Sequence, residues 1–181
     1  MSCKNHKMNR YHIKLYKHNA RIQWHNMSFW NKLKYWRLSY KEFEKSEKII
    51  WGLTADKWAY TLDTEQHYLP SNAYILTSET IPIRFILGLL NSKLLRYYFG
   101  FIGVMTAGGA YTLKAATIEA LPIAIGTKEQ QKEIALKVDS ILNVKAKDKQ
   151  TDVSLIESEI DRLVYNLYGL SDNEIKIVEG V

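Results

Sequence analysis

The most apolar stretch of the chain lies at residues 81–105, and its few polar residues constrain the fold more than any other feature. Within it, Phe85-Ile-Leu-Gly-Leu-Leu90 has no polar position on either a helical or a strand period, so it must be covered on every side. A membrane-spanning helix needs about 20 predominantly apolar residues. Arg84, Asn91, Lys93 and Arg96 interrupt the stretch, which is therefore read as the buried centre of a soluble, cytoplasmic protein. No apolar run follows Met1, so no secretory leader is expected. Ser78 or Thr80 can cap a helix whose first turn holds Pro82. Asn91-Ser92 then jogs the chain into a second helix, Lys93-Leu-Leu-Arg-Tyr-Tyr-Phe99.

The flanks of this stretch have different textures. Before it, Lys48-Ile-Ile-Trp-Gly-Leu53 and Lys57-Trp-Ala-Tyr-Thr-Leu62 are rich in β-branched and aromatic residues and read as strands. Turn-forming Asp63-Thr-Glu-Gln66 and Pro70-Ser-Asn72 frame a third, Ala73-Tyr-Ile-Leu-Thr77. After it come a glycine-rich loop at 103–109, then Ala110-Tyr-Thr-Leu-Lys114, a short helix and a strand, Ala120-Leu-Pro-Ile-Ala-Ile125. Thr127-Lys-Glu-Gln130 is a capping box that opens a helix with Ile134, Val138, Ile141 and Leu142 on one face. Leu155, Ile156, Ile160, Leu163, Val164 and Leu167 form a second stripe, stopped by Gly169, and Ser171-Asp-Asn-Glu174 caps a short last helix. The pair of amphipathic helices either completes the core or docks on a partner.

These patterns predict an α+β fold. A small mixed or antiparallel sheet from residues 48–77 and 110–125 packs on helices at 80–102. It is flanked by a basic helical N-terminal arm, with helix over residues 10–38, and by a C-terminal antiparallel helical pair. The expected divisions are 1–47, a Trp-rich lead-in; 48–126, the α+β core; and 127–181, the helical pair and terminal helix.

Charge is distributed unevenly. Residues 1–60 hold 13 Lys and Arg against Glu42, Glu44, Glu47 and Asp56, a net of +9, whereas the remainder is −3. Residues 1–41 contain no acid at all, and all five Trp fall within the first 58 residues. A solvated face usually mixes signs, so an acid-free run of this length points to a polyanion, with nucleic acid gripped through counterion release. For residues 1–20 a plain basic tail is the alternative.

Catalytic signatures are missing. One cysteine, Cys3, excludes an internal disulfide framework and multi-thiolate zinc sites. No two glycines sit two apart and no glycine precedes a lysine, so dinucleotide, methyl-donor and P-loop motifs are absent. The five histidines are read as belonging to no metal-ligand cluster, and no metal is expected. Asp172 and Glu174, which superficially resemble a nuclease pattern with Lys176, are explained by helix capping.

From Lys48 onward the motifs resemble the C-terminal target-recognition domain of Taq-type adenine DNA methyltransferases and the fused type IIG restriction–modification enzymes. Carrying the resemblance are Lys48-Ile-Ile-Trp51, Tyr74-Ile-Leu-Thr77, Leu87-Gly-Leu-Leu-Asn-Ser-Lys-Leu94, Gly108-Gly-Ala-Tyr-Thr-Leu-Lys114, Leu121-Pro-Ile123 and Asp161-Arg-Leu-Val-Tyr-Asn-Leu-Tyr-Gly-Leu170 with Ile175 to Gly180. Trp36-Arg-Leu38 and Phe43-Glu-Lys45 fit the lead-in, and the resemblance spans roughly residues 22–181. It implies a module that reads a short duplex DNA sequence while a methyltransferase domain flips an adenine. In such enzymes an upstream domain binds S-adenosylmethionine and carries an Asn-Pro-Pro-Tyr-like motif. No such sequence occurs here, so no cofactor, methylation or cleavage is expected from this chain, and a catalytic partner domain or subunit is.

Expected DNA contacts follow from residue type and place. Gly108 and Gly109 either let backbone approach phosphate or form a plain turn, with Tyr111 and Lys114 on the exit strand reaching the duplex. Lys57 meets phosphate or guanine, and Trp58 either stacks on the duplex or, alternating with Tyr60, joins the core. Lys34, Arg37 and Lys48 are expected to grip backbone. Competing readings are a fragment of a type I specificity subunit, a protein–protein adaptor working through residues 127–168, and an RNA-binding protein. One recognition-like segment and no internal repeat disfavour a full type I subunit.

Overall fold

The structure, a computed structural model, describes residues 44–181. The expected N-terminal helices, with Lys34 and Arg37, lie outside the described residues. The described chain is α+β, built from two small antiparallel sheets and six helices among those residues.

The first sheet follows from a period-2 pattern. In β1 (Lys48–Gly52), Ile49 and Trp51 face the core. β1 pairs with β3 (Thr61–Asp63) on one side and β4 (Ala73–Leu76) on the other, giving the order β3-β1-β4. Register sets Trp51 opposite Tyr74, and the two rings stack with centroids 5.4 Å apart. The strand expected from Lys57 begins only at Thr61. Before it, the backbone N–H and C=O of Tyr60 are taken by the side-chain amide of Asn91, at 2.9 and 3.0 Å, so no neighbouring strand is needed there.

Residues 48–77 and 111–112 belong to two sheets rather than to the single one expected. The split occurs at Leu53, whose N–H donates to Asn72 and whose carbonyl accepts from Leu113, both at 2.7 Å. Beyond Leu53, β2 (Thr54–Ala55) pairs with β6 (Tyr111–Thr112), which pairs with β5 (Val104–Met105). Within the glycine-rich stretch expected to be a loop, Val104 and Met105 form β5, and residues 106–110 make the turn of a β5–β6 hairpin. Residues 120–125 form no strand, contrary to expectation. Pro122 has no N–H to donate to a ladder. In place of a strand partner, the Tyr168 hydroxyl accepts from Ala124 N–H at 3.0 Å and donates to Pro122 O at 2.6 Å, while Gln131 donates to Ile125 O.

Helices α1 (Ile83–Asn91) and α2 (Lys93–Ile102) realise the apolar stretch, broken where expected. The Ser78 hydroxyl accepts from Ile81 N–H, but the N-cap position of α1 is Pro82. Ser92 turns the chain by donating to Leu89 O and capping Leu95 N–H. Buried Asp161 accepts from Lys93 N–H at 2.8 Å, closing the same helix start from across the fold. Desolvation raises the Asp161 carboxyl above its ordinary value, against the opposing pull of the Lys93 N–H and ammonium. The short α3 (Ala115–Glu119) leads to α4 (Lys128–Lys147), opened by the Thr127/Gln130 capping box. α5 (Ser154–Tyr168) ends at Gly169, whose φ of 66° suits glycine, and α6 (Asp172–Glu179) opens with the Ser171/Glu174 box.

α4 and α5 complete the core. Ile134, Val138, Ile160, Val164 and Tyr165 join one apolar cluster with Ile49, Leu76, Phe85, Leu89 and Leu90. At Gly88 a Cβ would lie 2.7 Å from Ile134 Cγ2, so glycine is what lets α1 approach α4. Arg84 holds the same junction from outside, donating to Glu47 at 2.6 Å and to Asp139. No described helix is long and apolar enough to cross a membrane.

Candidate nucleic-acid interface

Each sheet uses its charged residues differently. In the first, Lys48 and Asp63 are register partners, and the ammonium meets the carboxylate at 2.6 Å with the lysine 0% exposed. Asp63 also accepts from Glu65 N–H and His67 N–H and contacts His67 Nδ1 at 3.0 Å, which forms the turn expected at 63–66. Burial alone would raise this carboxyl. The hydrogen bonds from Lys48, His67 and Glu65, with the Lys48 charge, outweigh it and hold the carboxyl well below the usual range. Lys48 is thus an internal structural charge and cannot reach a DNA backbone, which corrects the expected grip. Sequence alone gives no sign of this, because the strand lysine finds its acid 15 residues away.

The second sheet opens outward. Ala55 pairs with Tyr111 and Thr54 with Thr112, so the 52–58 loop and the 104–114 hairpin, distant in sequence, share one small sheet. Lys57 lies two residues beyond β2 and Lys114 two beyond β6, both exposed and with no ion-pair partner among the described residues. At the hairpin tip, Thr106 N–H donates to Ala110 O at 2.8 Å and Gly109 N–H to Thr106 O at 2.9 Å. Gly109 takes φ 83°, a conformation that disfavours side chains, although a Cβ added there would meet nothing within 4 Å. Gly108 beside it is exposed. On the outer strand, Val104 and Met105 are 61% and 50% exposed.

Trp58 takes the second of its two expected roles, in the core. Its indole N–H donates to Leu90 O at 2.7 Å, and its ring sits against Tyr60, Phe99 and Tyr111 with centroids 5.0–5.7 Å apart. With its ring part-buried and its N–H engaged, it is not placed to stack on a duplex. Tyr111 is half-buried, and its hydroxyl accepts from Arg96 Nε at 3.1 Å. The sequence marks Arg96 only as a break in an apolar stretch. Its place off the apolar stripe of Leu94, Leu95 and Phe99 on the same helix is the available signal that it faces outward.

A groove of about 580 Å³ lies between residues 58–62, which include Thr61 and Leu62 of β3, the α1–α2 junction and α4–α5. Lys93 and Arg96 border it together with Glu157 and Asp161, so its charge is mixed. Among the described residues no group of three or more His, Cys, Asp or Glu is placed to hold a metal ion.

No curated protein matches the chain. A family model, described as the TaqI-like C-terminal specificity domain, matches residues 2–123, well over half of the sequence. That match takes in the acid-free segment, both sheets and the α1–α2 pair. The motifs at 161–170 fall beyond it but are tied to it through Asp161 and Tyr168. On this match the chain belongs to the TaqI-like C-terminal specificity domain family, with a target-recognition role in a methyltransferase system.

Proposed function

We propose that the chain binds double-stranded DNA and reads a short sequence for an adenine-specific methyltransferase of the restriction–modification type IIG kind, acting in the cytoplasm. The observation that carries this reading is the pairing of β2 with β6, which gathers the 52–58 loop and the β5–β6 hairpin on one exposed sheet within a specificity domain. Lys57 and Lys114 flank that sheet with no acid paired to them among the described residues, and the glycine tip leaves backbone accessible. The acid-free segment at 1–41 supplies sequence-independent grip, with Lys34 and Arg37 on phosphate, while the loops orient the duplex and read bases. Methyl transfer and S-adenosylmethionine binding belong to a catalytic domain outside this sequence, and the chain itself neither methylates nor cuts.

The adaptor reading is weaker, because α4 and α5 spend most of their apolar stripes, though not Leu155, on the core of this same chain. Competition binding separates the rest. Duplex DNA should displace a labelled duplex, with single strands and RNA much weaker. Preference for RNA supports the RNA-binding class, and no nucleic-acid binding removes the proposal. Lys34→Ala and Arg37→Ala should each weaken all duplexes alike and lower the salt slope by about one.

A further inference from the structure

Arg96 and Arg84 lie on consecutive helices, yet their guanidinium groups end in opposite circumstances. Arg84 spends its Nε on Asp139 and a terminal nitrogen on Glu47, two carboxylates that neutralise it. Arg96 is exposed and spends its Nε on a neutral acceptor, the Tyr111 hydroxyl, at 3.1 Å. Its terminal nitrogens have no partner among the described residues, although Glu157 and Asp161 border the same groove.

The acceptor is itself fixed. Tyr111 sits in β6 between Trp58, at 5.7 Å and 68°, and Phe99, at 5.9 Å and 64°, and Trp58 is anchored to Leu90 O. A line of side chains thus runs from the backbone of a buried helix to an exposed guanidinium. Arginine normally gives up much rotamer freedom on binding. A guanidinium already held through Nε gives up less, and it keeps the two terminal nitrogens as a planar donor fork. A phosphate accepts a mobile lysine almost as well as such a fork. A pair of in-plane acceptors on a base edge, as guanine presents in O6 and N7, is the target that rewards a fixed plane.

We propose that Arg96 is a specificity-determining residue that reads a base edge, and that Tyr111 is its positioning residue rather than a duplex contact. This rests on the target-recognition reading above. It moves base recognition from the hairpin loops alone to the seam where α2 meets β6.

The test uses the full chain. Wild-type protein is first used to enrich duplexes from a randomised pool, and affinities are then measured on the enriched duplex and on random duplex. Arg96→Ala should lose about tenfold or more on the enriched duplex, with little change on random duplex. Arg96→Lys should fail to restore it, since charge without the fork is insufficient. Tyr111→Phe keeps the ring packing and removes only the hydroxyl. It should cost several-fold on the enriched duplex and nothing further in an Arg96→Ala background, with the unfolding midpoint monitored to confirm an intact fold. Arg96→Ala that weakens both duplexes equally, or rescue by Arg96→Lys, makes the residue a phosphate contact and overturns the proposal. Additive loss from Tyr111→Phe in the Arg96→Ala background overturns the positioning role. If wild-type chain enriches a sequence that Arg96→Ala binds equally well, only Arg96 is discarded. If wild type retains no duplex at all, the target-recognition reading falls and takes this inference with it.

Discussion

The two sheets of this chain are both three-stranded and antiparallel but opposite in what they do with charge. In the β3-β1-β4 sheet, Lys48 is sealed against Asp63, and the exposed His67 closes the turn around the same carboxylate. Around the β2-β6-β5 sheet, Lys57 and Lys114 just beyond its strands and Arg96 on α2 stand outward without acidic partners among the described residues, and Val104 and Met105 of the sheet are exposed. A lysine in a strand is therefore no guide to function by itself. Lys48 has an acid as its cross-strand neighbour and is enclosed with it, whereas Lys57 and Lys114 lie just beyond the strand ends, where no such neighbour exists. The first sheet is framework, and the second is the face that framework presents.

The largest effect expected from this contrast lies in the framework. Asp63→Ala leaves a buried ammonium without its carboxylate and should cost about 3–5 kcal/mol of folding stability in a urea titration. Replacing both partners, as Lys48→Met with Asp63→Leu, should cost much less than the single change. A cost below about 1 kcal/mol for Asp63→Ala would mean that water already solvates the pair and the contrast fails. The same pair predicts a pH dependence. The folded Asp63 carboxyl lies below its unfolded value, so its stabilisation is full above the ordinary range near 4 and disappears as pH falls through the depressed folded value. The acid limb of the stability profile should accordingly flatten in the doubly substituted protein, while its neutral limb keeps the same slope.

A smaller loss is expected at the tip of the outward sheet. Gly109→Val forces a β-branched side chain into φ 83° and should destabilise by about 1–2 kcal/mol, with no clash to add to the backbone cost. Smallest of all, Lys57→Ala and Lys114→Ala should each move stability by no more than about 0.5 kcal/mol, as surface changes do. Their consequence should appear in DNA affinity instead. If either unfolds the protein, the second sheet is framework too.

How much of this is legible in the sequence depends on whether the partner is local. Several helix starts are: those at Ser92, Thr127 and Ser171 are found as read, whereas α1 opens at Pro82 rather than at Ser78 or Thr80. The apolar run around Leu87 and Leu90 has to be buried, and it is. Features settled by distant side chains are not readable. Asn91 replaces a strand at Tyr60, Tyr168 replaces one at Ala124, and Leu53 divides one expected sheet into two. Loop composition singles out Lys57, Gly108, Gly109 and Lys114 as candidates, all of them exposed, but only the fold reveals that Lys48 is enclosed and that Tyr111 holds Arg96.

The central claim is that recognition resides on the second sheet and not on the first. It is tested most directly by comparing two double variants for their preference for an enriched duplex over random duplex, each checked for folding first. Lys57→Ala with Lys114→Ala should reduce that preference by about tenfold or more. Lys48→Met with Asp63→Leu should leave it unchanged. Loss of preference in the Lys48 and Asp63 variant, with retention in the Lys57 and Lys114 variant, would contradict the account.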